Sequence, residues 1–168
     1  MIFIGIGGNL ATARHGPPLT TCAAALAALP RHDIVVVCRS RWYRSRPVPP
    51  SDQPPYVNAV AHVTTDLDPL RLLQTLHAVE ARFGRRRGVP NAARPVDLDL
   101  LAYGAQIRDR DSGIVLPHPR MHQRRFVLQP LAELAPSWRH PRLGLTTLEM
   151  LAQVPKDQVA EPLDEAAD

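Results

Sequence analysis

Aromatic residues are scarce in this chain: two Trp, three Tyr and three Phe among 168 residues. A sheet that binds single-stranded nucleic acid stacks bases on exposed aromatics of its central strands, so the shortage counts against that class. Cysteine is scarcer still. Cys22 and Cys38 form no Cys-x-x-Cys spacing, which removes any zinc framework. Both lie in apolar runs and read as buried free thiols of a reducing compartment. The apolar start, Met1 to Ile6, is broken by glycine and preceded by no basic residue. It is too short for a signal segment or a membrane span, so a soluble, cytoplasmic protein is expected. No Walker A loop, His-Glu-x-x-His or Ser-His-Asp spacing occurs. Gly5-Ile6-Gly7-Gly8 does not continue as a dinucleotide fingerprint and reads as a tight turn after a strand.

Proline, by contrast, is plentiful, with 18 residues. Nine lie between Pro17 and Pro69, which makes much of the early chain loop or turn. The length suits one domain, and 45% apolar residues suffice for a core without disulfides or a structural metal. The formal charge of +4 is uneven. Residues 156–168 hold one base and five acids; residues 1–155 hold 19 bases and 11 acids, a net of +8. A basic body points to an anionic ligand. The acidic, weakly apolar tail over 156–168 is expected to be disordered, leaving a single domain over 1–155.

Ile2 to Ile6 reads as a buried strand. Pro17-Pro18 opens an alanine-rich helix to Leu29. Ile34 to Tyr43 and Tyr56 to Thr65 read as strands, separated by proline-rich loop from Arg46 to Pro55. Asp68-Pro69 is an N-cap acid with a proline at the first helical position. The helix it opens, with Leu70, Leu73, Leu76 or His77 and Glu80 on or near one face and Leu72, Val79 and Phe83 beside them, ends at Gly84. Arg85 to Arg94 is loop. Val96 to Tyr103 is a strand, turned by Gly104 into a short hairpin partner over Gln106 to Arg108. Weaker helices are expected over Phe126–Leu134 and Thr146–Val154. The order strand, helix, strand, strand, helix, strand predicts an α+β, ferredoxin-like βαββαβ sandwich with a mainly antiparallel sheet and C-terminal additions.

The sharpest chemical signal is Asp97-Leu98-Asp99 within an apolar strand. Residues i and i+2 share a face, so two carboxylates stand together. Burying them costs several kcal/mol unless a cation lies between them. Paired carboxylates of this kind suit Mg²⁺, which binds one or two carboxylates together with substrate phosphates. Asp-x-Asp also arises by chance as surface charge, and context separates the two readings. Arg85, Arg86, Arg87 and Arg94 precede the acids; His118, Arg120, Arg124 and Arg125 follow. Arginine forks phosphate directionally, and acids for Mg²⁺ flanked by bases for phosphate match a nucleoside triphosphate site. Taken singly, most of these arginines read as a solvated face, and His118 and His122 as structural histidines.

Six blocks then follow one another in a familiar order. They are Gly7-Gly8-Asn9-Leu10; Tyr43-Arg44-Ser45; Asp52 through Ala59; Glu80 with Gly84 to Arg87; Arg94 through Leu101; and Leu116-Pro117-His118 through Arg124 and Phe126. In these the chain, from Ile2 to about Leu151, resembles the 6-hydroxymethyl-7,8-dihydropterin pyrophosphokinases of folate biosynthesis. The resemblance implies an ATP-dependent pyrophosphokinase in which the pterin hydroxyl attacks the β-phosphorus of ATP and AMP leaves. It implies that Asp97 and Asp99 bind two Mg²⁺ ions and, with Arg85 and Arg94, are the catalytic set. Tyr56 and Phe126 would sandwich the pterin ring, with Asn58 and Ser45 at its edge. His77, Glu80, Arg85, Arg87, Arg94, Leu100, His118 and Arg124 would bind the nucleotide. The loops Arg44–Ser51 and Arg85–Ala93 would close over the substrates. ATP and a reduced pterin are the implied partners of a monomer that binds neither nucleic acid nor membrane. The chain departs from the family pattern at Gly8, usually serine, at His77, usually glutamine, at Arg46, and at Pro90–Ala93, where an arginine and a tryptophan are usual. A divergent paralogue acting on a related pterin, or with impaired catalysis, is the first alternative; a ferredoxin-like nucleic-acid module is the second.

Overall fold

The computed structural model describes residues 1–164. Strand β1 (Ile2–Gly8) puts Ile2, Ile4 and Ile6 on one face and Phe3, Gly5 and Gly7 on the other. Helix α1 (Pro18–Ala28) starts on its proline and buries Cys22, Ala25 and Leu26. Two strands follow where one was expected: β2 (Val35–Arg39) and β3 (Tyr43–Ser45). The break lies at Ser40, whose hydroxyl accepts the Val60 N–H at 3.0 Å and draws the chain out of simple strand pairing. Strand β4 (Tyr56–Thr64) pairs with both pieces. Helix α2 (Pro69–Arg82) is capped by the Asp68 carboxylate, which accepts the Arg71 N–H at 3.0 Å. Its buried seam is Leu72, Leu76, Val79 and Glu80: Leu76 and Glu80 of the expected face, with Leu72 and Val79 from beside it in place of Leu70 and Leu73. Strand β5 (Asp97–Tyr103), α3 (Arg125–Leu134), α4 (Thr147–Gln153) and β6 (Ala160–Pro162) complete the chain.

The strands form one antiparallel sheet in the order β5-β1-β4-β3-β6, with β2 also on β4. The sequence order β1-α1-β2-β4-α2-β5 is the ferredoxin-like pattern; β3, α3, α4 and β6 are added to it. Helices α1 and α2 cover one face through Ile4, Ile6, Ala61, Leu98 and Leu100. Helix α3 covers part of the other through Phe3, Val60, Leu101, Val127 and Leu131, and α4 packs behind it. Among the described residues no helix is long and apolar enough to cross a membrane.

Four local expectations are corrected. Gly5, Gly7 and Gly8 lie inside β1 rather than in a turn. At Gly8 a Cβ would stand 2.2 Å from the Pro95 carbonyl oxygen, so the close approach of two backbones fixes glycine there. Residues 106–108 form no hairpin with β5; Arg108 instead exchanges backbone hydrogen bonds with Leu116, both at 3.0 Å. Cys38 is exposed, because it lies on β2; only Cys22 is buried. The acidic segment is ordered over its first part, where β6 pairs with β3; residues 165–168 lie outside the described residues.

Glu133 of α3 holds the break between β2 and β3. Its carboxylate accepts the Arg41 N–H and Nε–H, each at 2.9 Å, and the Tyr43 hydroxyl. Burial pushes its pKa up, but these donors outweigh burial and leave it lowered. Glu133→Ala leaves the Tyr43 hydroxyl and Arg41 N–H without their acceptor and is expected to cost about 2 kcal/mol in denaturant unfolding at pH 7. A depressed carboxylate pKa gives stability that is present above the unfolded value and lost as pH falls through the folded one. The gap between wild type and Glu133→Ala therefore narrows below pH 4; a gap that stays constant from pH 7 to pH 3 would contradict the assignment.

Candidate active site

Residues paired directly across an antiparallel ladder share a face. Asp97 pairs with Gly7, and Gly7 with Asn58; Asp99 pairs with Gly5, and Gly5 with Val60. Both aspartates therefore stand beside a floor without side chains. At Gly7 a Cβ would lie 2.7 Å from Asn58 Oδ1, so any other residue would fill the space the acids face. Above this floor is a cavity of about 330 Å³. Ser45, Tyr56 and Asn58 line it from β3 and β4, Asp97 and Asp99 from β5, and Arg124 and Phe126 from the start of α3. The loop 46–53 and residues Pro90, Asn91 and Arg94 close its sides.

Asp97 is ion-paired on both oxygens. Arg85 donates to Oδ1 and Arg94 donates to Oδ2 at 2.9 Å. Burial opposes its ionisation, but Arg94 and Arg85 win and lower its pKa. Asp99 has no such partner in the described residues. Burial first, and then the charge of Asp97, push it up to about 7. A carboxyl in that state is fully ionised at neutral pH only when positive charge is brought to it. The oxygen donors, shared face and glycine floor fit a Mg²⁺ ion that also meets a substrate phosphate. Arg94 Nε is buried without a hydrogen-bond partner among the described residues, a donor available to an anion.

Glu80 does not line the cavity. It is 1% exposed and lies behind β5, where Oε1 accepts the Leu98 N–H at 2.7 Å. The same oxygen meets Arg85 at 2.9 Å, and Oε2 meets Arg87 at 2.6 Å. Burial pushes the Glu80 pKa up against these donors. Leu100 is also away from the cavity, in the core beneath α1 and α2, because it alternates with Asp99. His77 and His118 lie outside the cavity lining as well. Burial lowers both; His118 falls to about 4, with Arg124 and Arg120 adding to the effect. Arg85 and Arg87 line a separate hollow of about 140 Å³ formed by loop 85–94.

Two residues without an assigned role join the cavity's loops. Asn9 Nδ2 donates to Gln53 Oε1 and to the Pro54 carbonyl, both at 3.1 Å, while Asn9 Oδ1 accepts the Arg94 N–H at 2.9 Å. Gln53 Nε2 donates to the Asn91 carbonyl at 2.7 Å, and its Oε1 also accepts the Tyr56 hydroxyl at 3.1 Å. Both residues belong to the motif blocks, but apart from Tyr56 their partners lie 38 to 85 residues away. The two tryptophans, Trp42 and Trp138, are absent from the cavity lining.

Comparison with known proteins gives the family. The family model for 7,8-dihydro-6-hydroxymethylpterin-pyrophosphokinase matches residues 3–136. The chain is 42% identical over 152 residues to the 2-amino-4-hydroxy-6-hydroxymethyldihydropteridine pyrophosphokinase of Synechocystis sp., covering 90% of this chain and 74% of that protein. It is 40% identical over 154 residues to the enzyme of that name from Pseudomonas aeruginosa, covering 92% and 91%. With the Haemophilus influenzae enzyme the identity is 41% over 134 residues, covering 79% and 80%. A match over most of the chain, together with paired acids on a glycine floor beside an arginine loop, makes this chain a member of the 7,8-dihydro-6-hydroxymethylpterin-pyrophosphokinase family.

Proposed function

We propose that the cavity on the open face of the sheet is where this chain carries out its family's reaction. That reaction passes the pyrophosphoryl group of ATP to the hydroxymethyl oxygen of the pterin, in folate synthesis. The observation that carries the proposal is the pair Asp97 and Asp99 on a side-chain-free floor, with Arg85 and Arg94 already at the first of them.

Asp97 and Asp99 would hold two Mg²⁺ ions, which would supply charge neutralisation at the phosphate oxygens and Lewis acidity for attack of the pterin hydroxyl on the β-phosphorus. With the carboxylates so engaged, Arg85 and Arg94 turn from Asp97 to the triphosphate, joined by His118 and Arg124. A neutral His118 Nδ1 already accepts the Arg120 N–H at 3.2 Å, which leaves Nε2–H to donate to phosphate. Arg87, His77, Glu80 and the Leu100 stretch of β5 form the nucleotide side, with Glu80 acting through Arg85 and Arg87. Arg85 and Arg94, with the aspartates, are the catalytic set because they face charge that develops at the transferred group.

The pterin side is apolar with a polar edge. Tyr56 and Phe126 hold the flat ring between them; until it binds, the Arg94 guanidinium lies 5.4 Å above Tyr56 and that of Arg124 5.3 Å above Phe126. Asn58 Nδ2 donates to Ser45 Oγ at 2.6 Å. Asn58 Oδ1 is thereby left to accept from the ring's amide and amino groups, and the Ser45 hydroxyl to donate. Loops 44–51 and 85–93 close over both substrates, with the Gln53–Asn91 bond supporting the closure in place of a tryptophan. We take the enzyme to be a monomer and place it in the cytoplasm.

Two variants test these roles. Asp99→Asn keeps the shape and removes one of two repelling charges, so the melting temperature should not fall while turnover drops at least about a thousandfold; turnover within tenfold of wild type would contradict the metal assignment. Phe126→Ala should weaken pterin binding by at least about tenfold and MgATP binding by less than about twofold, as read by calorimetric titration. Equal losses for the two substrates would contradict the ring sandwich.

A further inference from the structure

Helix α3 begins where the cavity needs most precision, since Arg124 and Phe126 leave its first turn for the two substrates. Yet its N-cap residue, Arg124, supplies no side-chain cap. The missing acceptor comes from Gln158, 33 residues further along the chain. Gln158 Oε1 accepts the Arg125 N–H at 3.0 Å, and Gln158 Nε2 donates to the Gln123 carbonyl at 2.9 Å. One side chain thus serves a donor inside the helix and an acceptor just before it, as a cap does from within.

The segment that carries Gln158 is itself anchored. β6 pairs with β3, Ala160 opposite Ser45, Glu161 opposite Arg44 and Pro162 opposite Tyr43. The Leu163 N–H donates to the Trp42 carbonyl at 2.8 Å. Hydrogen-bonded pairs alternate along such a ladder, so Pro162 falls at a position that needs no N–H. Leu163 packs against the core below. Residues 158–163 therefore tie the helix start that carries Phe126 to the strand that carries Ser45, the two sides of the pterin pocket.

We propose that Gln158 is a positioning residue for pterin binding: it caps α3 from the C-terminal segment, and β6 sets that cap in register with β3. The inference rests on the reading of Phe126 and Ser45 as pterin residues. It predicts that what matters at position 158 is a hydrogen-bond acceptor, not bulk.

The test compares Gln158→Leu, Gln158→Glu and Phe126→Ala in the full chain. Pterin affinity is measured by fluorescence titration with a non-hydrolysable MgATP analogue present, and amide exchange of α3 in parallel. Gln158→Leu keeps the size and loses the cap. It should raise the pterin Kd about fivefold, the worth of a helix cap, and speed exchange at Arg125, Phe126 and Val127 but not in β1. Gln158→Glu keeps the acceptor for the Arg125 N–H, with a charge the helix N-terminus favours, but loses the donor to the Gln123 carbonyl, and should fall between wild type and Gln158→Leu. Wild-type behaviour in Gln158→Leu, or equal losses in the Leu and Glu variants, overturns the proposal. If Phe126→Ala weakens the pterin and Gln158→Leu does not, only the role of Gln158 falls. If neither does, the pterin assignment falls and takes this inference with it.

Discussion

A carboxylate that water scarcely reaches organises this molecule. Glu80, on the buried seam of α2, meets the Leu98 N–H and the guanidiniums of Arg85 and Arg87. Leu98 lies between Asp97 and Asp99, and β5 is an edge strand whose outer N–H groups have no neighbouring strand. Glu80 therefore does three things at once: it satisfies the strand edge between the two acids, locks α2 to β5, and recruits the arginine loop to the site. A buried charge needs its partners to hold its place, and removing one of them typically costs about 3–5 kcal/mol. That dependence is what couples helix, strand and loop.

Past Glu80 the charges form a chain. Arg85 touches both Glu80 and Asp97; Arg94 holds the other oxygen of Asp97; Asp99, next along, has no ion pair among the described residues. Arg94 and Arg124 reach the same cavity as Asp99. On the proposed function, cations at the acids and phosphate at the arginines would serve both. On that proposal the bare glycines of β1 leave room for a metal–polyphosphate pair beside the acids.

The parts of this that could be read from sequence are those that local chemistry decides. Asp68-Pro69 and Gly84 bound α2 within a residue or two, because caps and breakers act over a few positions. Asp97 and Asp99 were legible as a same-face pair because strand periodicity is local as well. The break at Ser40 was not, since its cause is the N–H of Val60, twenty residues away. β6 was not, because Ala-Glu-Pro has little strand propensity and becomes a strand only against the open edge of β3. Gly5 and Gly7 could be read as a turn or as a floor until their pairing with Asp99 and Asp97 was known. For Leu100, alternation from Asp99 already puts the side chain on the opposite face, in the core.

The measurement that tests the central claim most directly is a phosphorus NMR time course of the chain with ATP and 6-hydroxymethyl-7,8-dihydropterin, run with Mg²⁺ and again with EDTA. The account predicts AMP and a pterin diphosphate in equal amounts with Mg²⁺, and neither with EDTA or without the pterin. Product forming at the same rate in EDTA, or ADP appearing in place of AMP, would contradict it.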